Sequence, residues 1–270
     1  AQRIVRAKLG LREAGVRFMM PSANELKPRI EAVLDVLYVA FSEGSHPTED
    51  DTMLDNALCQ EALYLVRALT KGRHTAIPAA HALQALLCFH ASRIPARLAD
   101  DGSLLLMQEQ DRTRWDQALV AEGFACLESA GAGDNLSRFH IEAAIAACHA
   151  LGSTYATTDW PHIVELYDLM QLRAPSLVVD VNRAIAVAMC SGAPAGIELL
   201  DAIPERALLA RYPFALAAYA DLHASLGHLQ EAREYLDRAL AHQSAPAQRA
   251  LLTRKRFALD RRGDSDGQSQ

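Results

Sequence analysis

From residue 136 onward, apolar residues recur at the 3.6-residue period of an α-helix, in segments of about 12 to 16 residues that short turns separate. Gly192 and Gly227 each stand at the turn between two such segments. A single pair of amphipathic helices leaves apolar surface on its outside, so neighbouring pairs must stack to bury that surface. This periodicity constrains the fold more than any other feature of the chain.

The unit from Pro213 to Pro246 resembles a tetratricopeptide (TPR) repeat, because a small residue stands where its two helices cross and Gly227 stands at the turn. A second unit is centred on Gly192, and Pro204 cuts its second helix short. A third copy, which precedes these two, is partial. We therefore predict an all-α fold in the form of a helical array with TPR-like helix pairs, an α-solenoid.

The composition agrees with this fold class. Half of the residues are apolar but only 6% are aromatic, so the apolar share comes mostly from Ala and Leu, which favour helices. One stretch differs from the rest, because the turn dipeptide Asp101-Gly102 lies between apolar residues. It predicts a short β-hairpin near 97–106, with an irregular loop as the alternative.

Breaks in the helical periodicity divide the chain. Gly15 is a plausible end for the first helix, and Pro21, Ser22 and Pro28 are typical of a linker. A basic C-terminal helix suits the polar cap of a solenoid, and the polar residues after it predict disorder. The sequence thus predicts five parts: a short basic helix (1–18), a linker (19–28), a helical domain (29–135), TPR-like helical repeats (136–262) and a disordered tail (263–270).

Charge is distributed unevenly along the chain. The net charge is −6, but the first 17 residues contain five basic residues and one acidic residue, so that segment carries +4 and the remainder −10. A basic segment attached to an acidic body is typical of a nucleic-acid contact joined to a regulatory or protein-binding body. A solvated basic helix is the alternative. The chain also opens without Met, in the middle of a helical pattern, as expected of a fragment of a longer protein.

The sequence lacks the signatures of several classes of protein. No uncharged apolar run approaches the roughly 18 residues of a membrane span, and the five cysteines are widely spaced, which predicts reduced thiols in the cytoplasm. No two histidines lie three or four residues apart, so we expect no metal site. Neither a G-x-S-x-G motif nor a phosphate-binding loop occurs, so we expect no cofactor and no catalysis.

One polar cluster stands out, at residues 110–116. On a helix, Asp111 and Trp115 would share a face, and Arg112 would pair with Asp116. In one interpretation, Asp111 caps a helix, the ion pair is exposed and the tryptophan is a packing anchor. In the other, the cluster is the wall of a polar pocket that further arginines join. The candidate interaction or pocket residues are Arg93, Arg97, Asp111, Arg112, Trp115 and Asp116.

Several stretches together resemble a known family. Residues 1–8 (Ala-Gln-Arg-Ile-Val-Arg-Ala-Lys), with Arg12-Glu-Ala-Gly15 after them, are similar to the end of the DNA-recognition helix in region four of extracytoplasmic-function (ECF) sigma factors. The pattern continues through residues 29–38 and Phe41-Ser-Glu-Gly44. Three further stretches resemble the long, TPR-like C-terminal extension of one subgroup of these factors: Asp111-Arg-Thr-Arg-Trp-Asp116, Thr158-Asp-Trp160 and Asn182-Arg-Ala184.

The resemblance implies that residues 1–18 are the remnant of sigma region four. By this resemblance, the DNA-binding residues are Gln2, Arg3, Arg6 and Lys8, on a helix that lies in the −35 major groove. Leu9-Gly10 departs from the usual basic continuation. The implied partners are RNA polymerase core and promoter DNA, both through the full-length parent.

For the remainder of the chain, the resemblance implies regulation of transcription initiation. A TPR-like array offers a concave surface for a regulatory protein or for the sigma factor's own regions two and four. The alternative is a TPR-like module that senses a small molecule in a pocket near Arg93, Asp111 and Trp115. A cavity lined by converging polar groups would favour the alternative.

Overall fold

The computed structural model describes residues 9–10, 12–15, 21–45, 56–132, 135–243 and 245–267. The described residues between 23 and 267 form twelve α-helices and no β-strand, which confirms the all-α prediction. The helices are α1 (Ala23–Ser45), α2 (Asn56–Lys71), α3 (Pro78–Ser92), α4 (Gln117–Ala130), α5 (Arg138–Leu151), α6 (Trp160–Arg173), α7 (Leu177–Ser191), α8 (Ala193–Ala202), α9 (Arg206–Leu209), α10 (Pro213–Ser225), α11 (Leu229–His242) and α12 (Pro246–Gly267).

The predicted hairpin is reduced to one tight turn. Leu98 and Leu104 form an isolated antiparallel bridge, and the amide of Ala99 donates to the carbonyl of Ser103 at 2.9 Å. Gly102 has φ +80°, as the turn requires. The rest of the α3–α4 connection consists of short 3₁₀ turns, at Ile94–Ala96, Met107–Glu109 and Arg112–Arg114.

The first long helix begins earlier than predicted. The helix α1 starts at Ala23, so residues 23–28 belong to a helix and not to the linker. The reason is a capping box, in which the carboxylate of Glu25 accepts hydrogen bonds from the backbone amide and the hydroxyl of Ser22 at 2.8 and 2.7 Å. Pro28 is tolerated inside the helix.

Successive helices share four apolar cores. The first core joins α1–α4 to one face of α5, and the second joins the other face of α5 to α6 and α7. The third joins α7, α8 and α10, and the fourth joins α10, α11 and α12. Because α5, α7 and α10 each contribute to two cores, the array is held together by contacts between neighbours, as in a solenoid.

The two glycine-centred helix pairs form as the sequence predicts. Gly192 separates α7 from α8 with φ +91°, and Gly227 separates α10 from α11 with φ +80°. In the first pair, a Cβ added to Gly196 would lie 2.9 Å from the carbonyl oxygen of Ala184. Glycine therefore permits the close approach of α7 and α8.

The last helix runs beyond its predicted end and reaches back across the array. The helix α12 continues to Gly267, so residues 263–267 are helical where a disordered tail is predicted. Its Arg254 pairs with Glu109 of the α3–α4 connection at 2.7 Å. The array therefore curves enough to bring its C-terminal helix against a connection that lies 145 residues earlier in the chain.

The tightest helix contact in the first core depends on one glycine. Helices α3 and α4 pack closely against each other in this core. Gly123 of α4 is buried against the ring of Phe89, and a Cβ added there would lie 2.7 Å from the Cε1 atom of that ring. The same ring packs edge-on against Phe124, with ring centroids 5.0 Å apart. Gly123 therefore fixes where Phe89 lies.

We predict that Gly123→Ala lowers the free energy of unfolding by about 1 to 3 kcal/mol, because the added methyl overpacks the contact with Phe89. Alanine otherwise favours a helix by about 1 kcal/mol. Urea denaturation measures the change. The exposed Ser129→Ala on the same helix serves as the control, with an expected change below about 0.5 kcal/mol. A more stable G123A variant would contradict the packing described here.

Candidate ligand-binding site

A cavity of about 480 Å³ lies where the first two cores meet. Its walls come from α1, α3, α5, α6 and α7, and Met107 of the α3–α4 connection also lines it. Apolar side chains form much of the lining: Leu86, Phe89, Ile145, Met170 and Val179. Polar side chains also line it: Tyr38, His90, Arg93, Arg138, Glu142, His149, Tyr167, Ser176 and Asn182. A largely apolar cavity of this size with a few polar groups is typical of a small-molecule site.

Trp115 lies behind the wall of this cavity, between two arginines. The indole is 4% exposed, and the guanidinium carbons of Arg93 and Arg112 lie 5.5 and 5.2 Å from its ring centroid. These distances are those of cation–π contacts. Two aspartates shape the segment: Asp111 accepts from the amide of Thr113, and Asp116 caps α4.

The ion pair predicted between Arg112 and Asp116 is wrong. The carboxylate of Asp116 instead accepts from the amides of Ala118 and Leu119 at 2.9 and 3.1 Å, because α4 begins only at Gln117. The predicted helix face shared by Asp111 and Trp115 is therefore also wrong, since residues 112–114 form a 3₁₀ turn. Both aspartates act as caps.

Arg112 ties the α3–α4 connection to the end of α5. Its Nη1 donates to the carbonyl oxygens of His149 and Gly152, both at 2.6 Å, and its Nη2 donates to the hydroxyl of Thr158 at 3.1 Å. The last carbonyls of a helix carry partial negative charge and have no partner within the helix. The guanidinium therefore satisfies them without a carboxylate.

Arg93 contributes a positive charge to the cavity. Its hydrogen-bond partner is the amide oxygen of Gln110, at 3.3 Å, and no carboxylate among the described residues pairs with it. Burial, followed by repulsion from Arg97 and Arg112, lowers the pKa of Arg93 to about 9. The guanidinium remains charged at neutral pH, so the cavity holds a cation that has no carboxylate partner within the described part of the chain.

His149 is neutral at the same site. Burial, with the positive charges of Arg93 and Arg112, lowers the pKa of His149 to about 3. The Nδ1 atom is buried and lacks a hydrogen-bond partner within the described part of the chain. The ring packs edge-on against Trp160, with centroids 5.2 Å apart.

Glu142 brings a carboxyl group to the cavity wall, close to Tyr38 and Arg138. Burial, together with the charge of the nearby Glu142, raises the pKa of Tyr38 to about 12, and burial raises the pKa of Glu142. Arg138 stacks on Tyr38 at 5.0 Å and pairs with Asp35 at 2.8 Å. Tyr38, Arg138 and Glu142 all line the cavity, and Arg138 has its carboxylate partner in Asp35.

The structure brings three of the six predicted pocket residues together. Arg93 lines the cavity, and Trp115 and Arg112 pack behind it. Arg97 is partly buried, with its pKa lowered by desolvation, but it does not line the cavity, and Asp111 and Asp116 act as caps. The candidate DNA-binding residues lie outside the described residues: Gln2, Arg3, Arg6 and Lys8.

Sequence reasoning missed most of the cavity wall. Glu142 and Tyr167 lie on helices whose apolar residues dominate the pattern, and no local motif distinguishes them. The sequence did single out Asn182, because it is the first residue of Asn182-Arg-Ala184, one of the stretches that resemble the sigma-factor extension. Two of those stretches are in contact, since Arg112 donates to Thr158. Asn182 of the third stretch lines the same cavity as Arg93, which packs on Trp115 of the first.

Among the described residues, no group of three or more His, Cys, Asp or Glu side chains could hold a metal ion. No helix in the described ranges is both long enough and apolar enough to cross a membrane.

Comparisons with known proteins identify relatives without a stated function. A model for the family of unknown function DUF6596 matches residues 29–131. An uncharacterized protein of Rhizobium meliloti (strain 1021) is 34% identical over 259 residues, which is 96% of this chain and 60% of that protein. The chain therefore spans less than two thirds of this relative. No solved structure matches significantly.

We predict that Arg112→Met lowers the free energy of unfolding by about 2 to 3 kcal/mol, because three buried or partly buried acceptors lose a charged donor. Urea denaturation provides the measurement, and the exposed Arg114→Met in the same 3₁₀ turn is the matched control. Equal stability of the two variants would show that Arg112 does not join the connection to α5.

The low pKa of His149 predicts a loss of stability in acid. As the pH falls from 6.5 towards 3, the unfolded chain binds a proton at His149 that the folded chain does not, so folding weakens. Between pH 7 and pH 4.5 this histidine accounts for about 2 kcal/mol. Denaturation of the unchanged chain and of His149→Phe at both pH values measures it. The account fails if the variant loses as much stability as the unchanged chain.

Proposed function

We propose that this chain is the C-terminal regulatory part of an ECF sigma factor and that its cavity senses a small molecule. The observation that carries the proposal is the cavity that Arg93, His149 and Asn182 line together. It lies between the first two cores, so a ligand there contacts helices from both. Binding would therefore change the relative stability of arrangements of the array.

The sigma-factor part of the proposal rests on the resemblance of the sequence stretches. The Rhizobium meliloti relative is longer than this chain, which leaves room in that protein for further regions. Under this proposal, the full-length parent acts in the cytoplasm with RNA polymerase core and promoter DNA as partners. The module itself carries out no catalysis and regulates transcription initiation.

A second candidate function is docking of a polypeptide, either sigma regions two and four of the parent or a regulatory protein. A larger and more open groove of about 1290 Å³ supports it, between α12 and the α10–α11 pair. Four arginines line the groove, and Phe257 is 64% exposed there. An apolar groove with a basic rim suits an acidic helix.

A reporter assay with the full-length parent tests the two candidates. Ala146 lines the cavity, and Ala146→Phe would fill it, whereas Ala146→Ser is the matched control. We expect A146F to change promoter-dependent transcription several-fold while A146S and Phe257→Glu do not. A change caused by F257E alone would favour polypeptide docking. Unchanged transcription in a folded A146F variant would contradict sensing at the cavity.

A further inference from the structure

We propose that the cavity binds a small organic molecule with one negative group, held by Arg93, and with an apolar body. This inference rests on the proposed function, because it names the class of ligand for the same cavity. It follows from the charges that face the cavity, from the geometry of the arginine and from the apolar lining.

Arg93 has no carboxylate partner among the residues that the structure describes. Arg93 has two arginines as its charged neighbours, Arg97 and Arg112, and its neutral partner is Gln110. A partly buried cation without an anion destabilises a fold, and proteins retain such groups where a ligand supplies the opposite charge. A carboxylate or a phosphate monoester offers two oxygens that match the planar guanidinium.

The other charged side chains that line the cavity limit the number of negative groups on the ligand. The other cation that lines the cavity, Arg138, is already paired with Asp35. Glu142 lines the cavity as well and would repel a second anionic group. His149 is neutral, so it contributes hydrogen bonding and no charge. One negative group is therefore favoured over a polyphosphate.

The apolar lining of the cavity indicates the chemical character of the rest of the ligand. The side chains of Leu86, Phe89, Ile145, Met170 and Val179 line the cavity beside the polar groups. Burial of an apolar body against them is favourable by roughly 25 cal/mol per Å². A medium-chain or aromatic acid satisfies both requirements.

Isothermal titration calorimetry of the whole chain with three probes tests the inference. Octanoate has both the charge and the apolar body, 1-octanol has only the apolar body, and acetate has only the charge. We expect octanoate to bind at least about tenfold more tightly than either, since a charged hydrogen bond adds about 1.5 kcal/mol or more. This comparison uses the unchanged chain and requires no variant.

Two variants then identify the arginine. Arg93→Met should lower the affinity for octanoate about tenfold or more and leave that for 1-octanol unchanged, whereas the exposed Arg114→Met should change neither. Without ligand, R93M should unfold at a temperature no lower than the unchanged chain, because the uncompensated charge is gone. A structural arginine would give the opposite shift.

The possible failures can be told apart. Equal affinity for octanoate and 1-octanol would overturn the anionic part, although sensing at the cavity would stand. Absence of octanoate binding would overturn the inference, and the A146F reporter result would then decide the proposed function separately. Tight octanoate binding that R93M leaves unchanged would remove Arg93 from the site.

Discussion

The donation from Arg112 to the last carbonyls of α5 is the interaction on which the site depends. It joins the connection after the first three helices to the helix that begins the TPR-like repeats. Gly152 belongs to the same contact, since a Cβ there would lie 2.9 Å from Nη1 of Arg112. Because Arg112 also stacks on Trp115, the indole is held against Arg93, which then faces the cavity. The α3–α4 connection therefore positions the part of the cavity wall that contains Arg93.

The energetics of the site separate two arginines that a sequence cannot distinguish. Arg112 is satisfied by helix-end carbonyls and by the hydroxyl of Thr158, so it stabilises the fold. Arg93 has the amide oxygen of Gln110 and the face of an indole, so it retains unsatisfied charge. Polar groups that lower the stability of the fold are typical of binding sites. The exposed pair between Arg254 and Glu109 contributes little, because solvent screens it.

The fold was largely predictable because helical periodicity and turn glycines act locally. Gly192 and Gly227 mark the turns of two helix pairs, and both adopt the positive φ that favours glycine. The start of α1 departs from the prediction because the contacts between Ser22 and Glu25 cap a helix that continues through Pro28. The composition of residues 110–116 identified a polar cluster, but its pairing was wrong. A four-residue spacing pairs side chains only on a continuous α-helix, and here a 3₁₀ turn and a second cap intervene.

The cavity was predictable only in part, since its wall comes from five helices. Arg93 and Trp115 lie in one local cluster, whereas Glu142 and Tyr167 join it through packing at long range.

Hydrogen–deuterium exchange of the whole chain, with and without octanoate, tests the central claim most directly. The account predicts that slowed exchange is confined to the cavity helices α1, α3, α5, α6 and α7. Slowed exchange in α10–α12 alone, or no change in any helix, would contradict it.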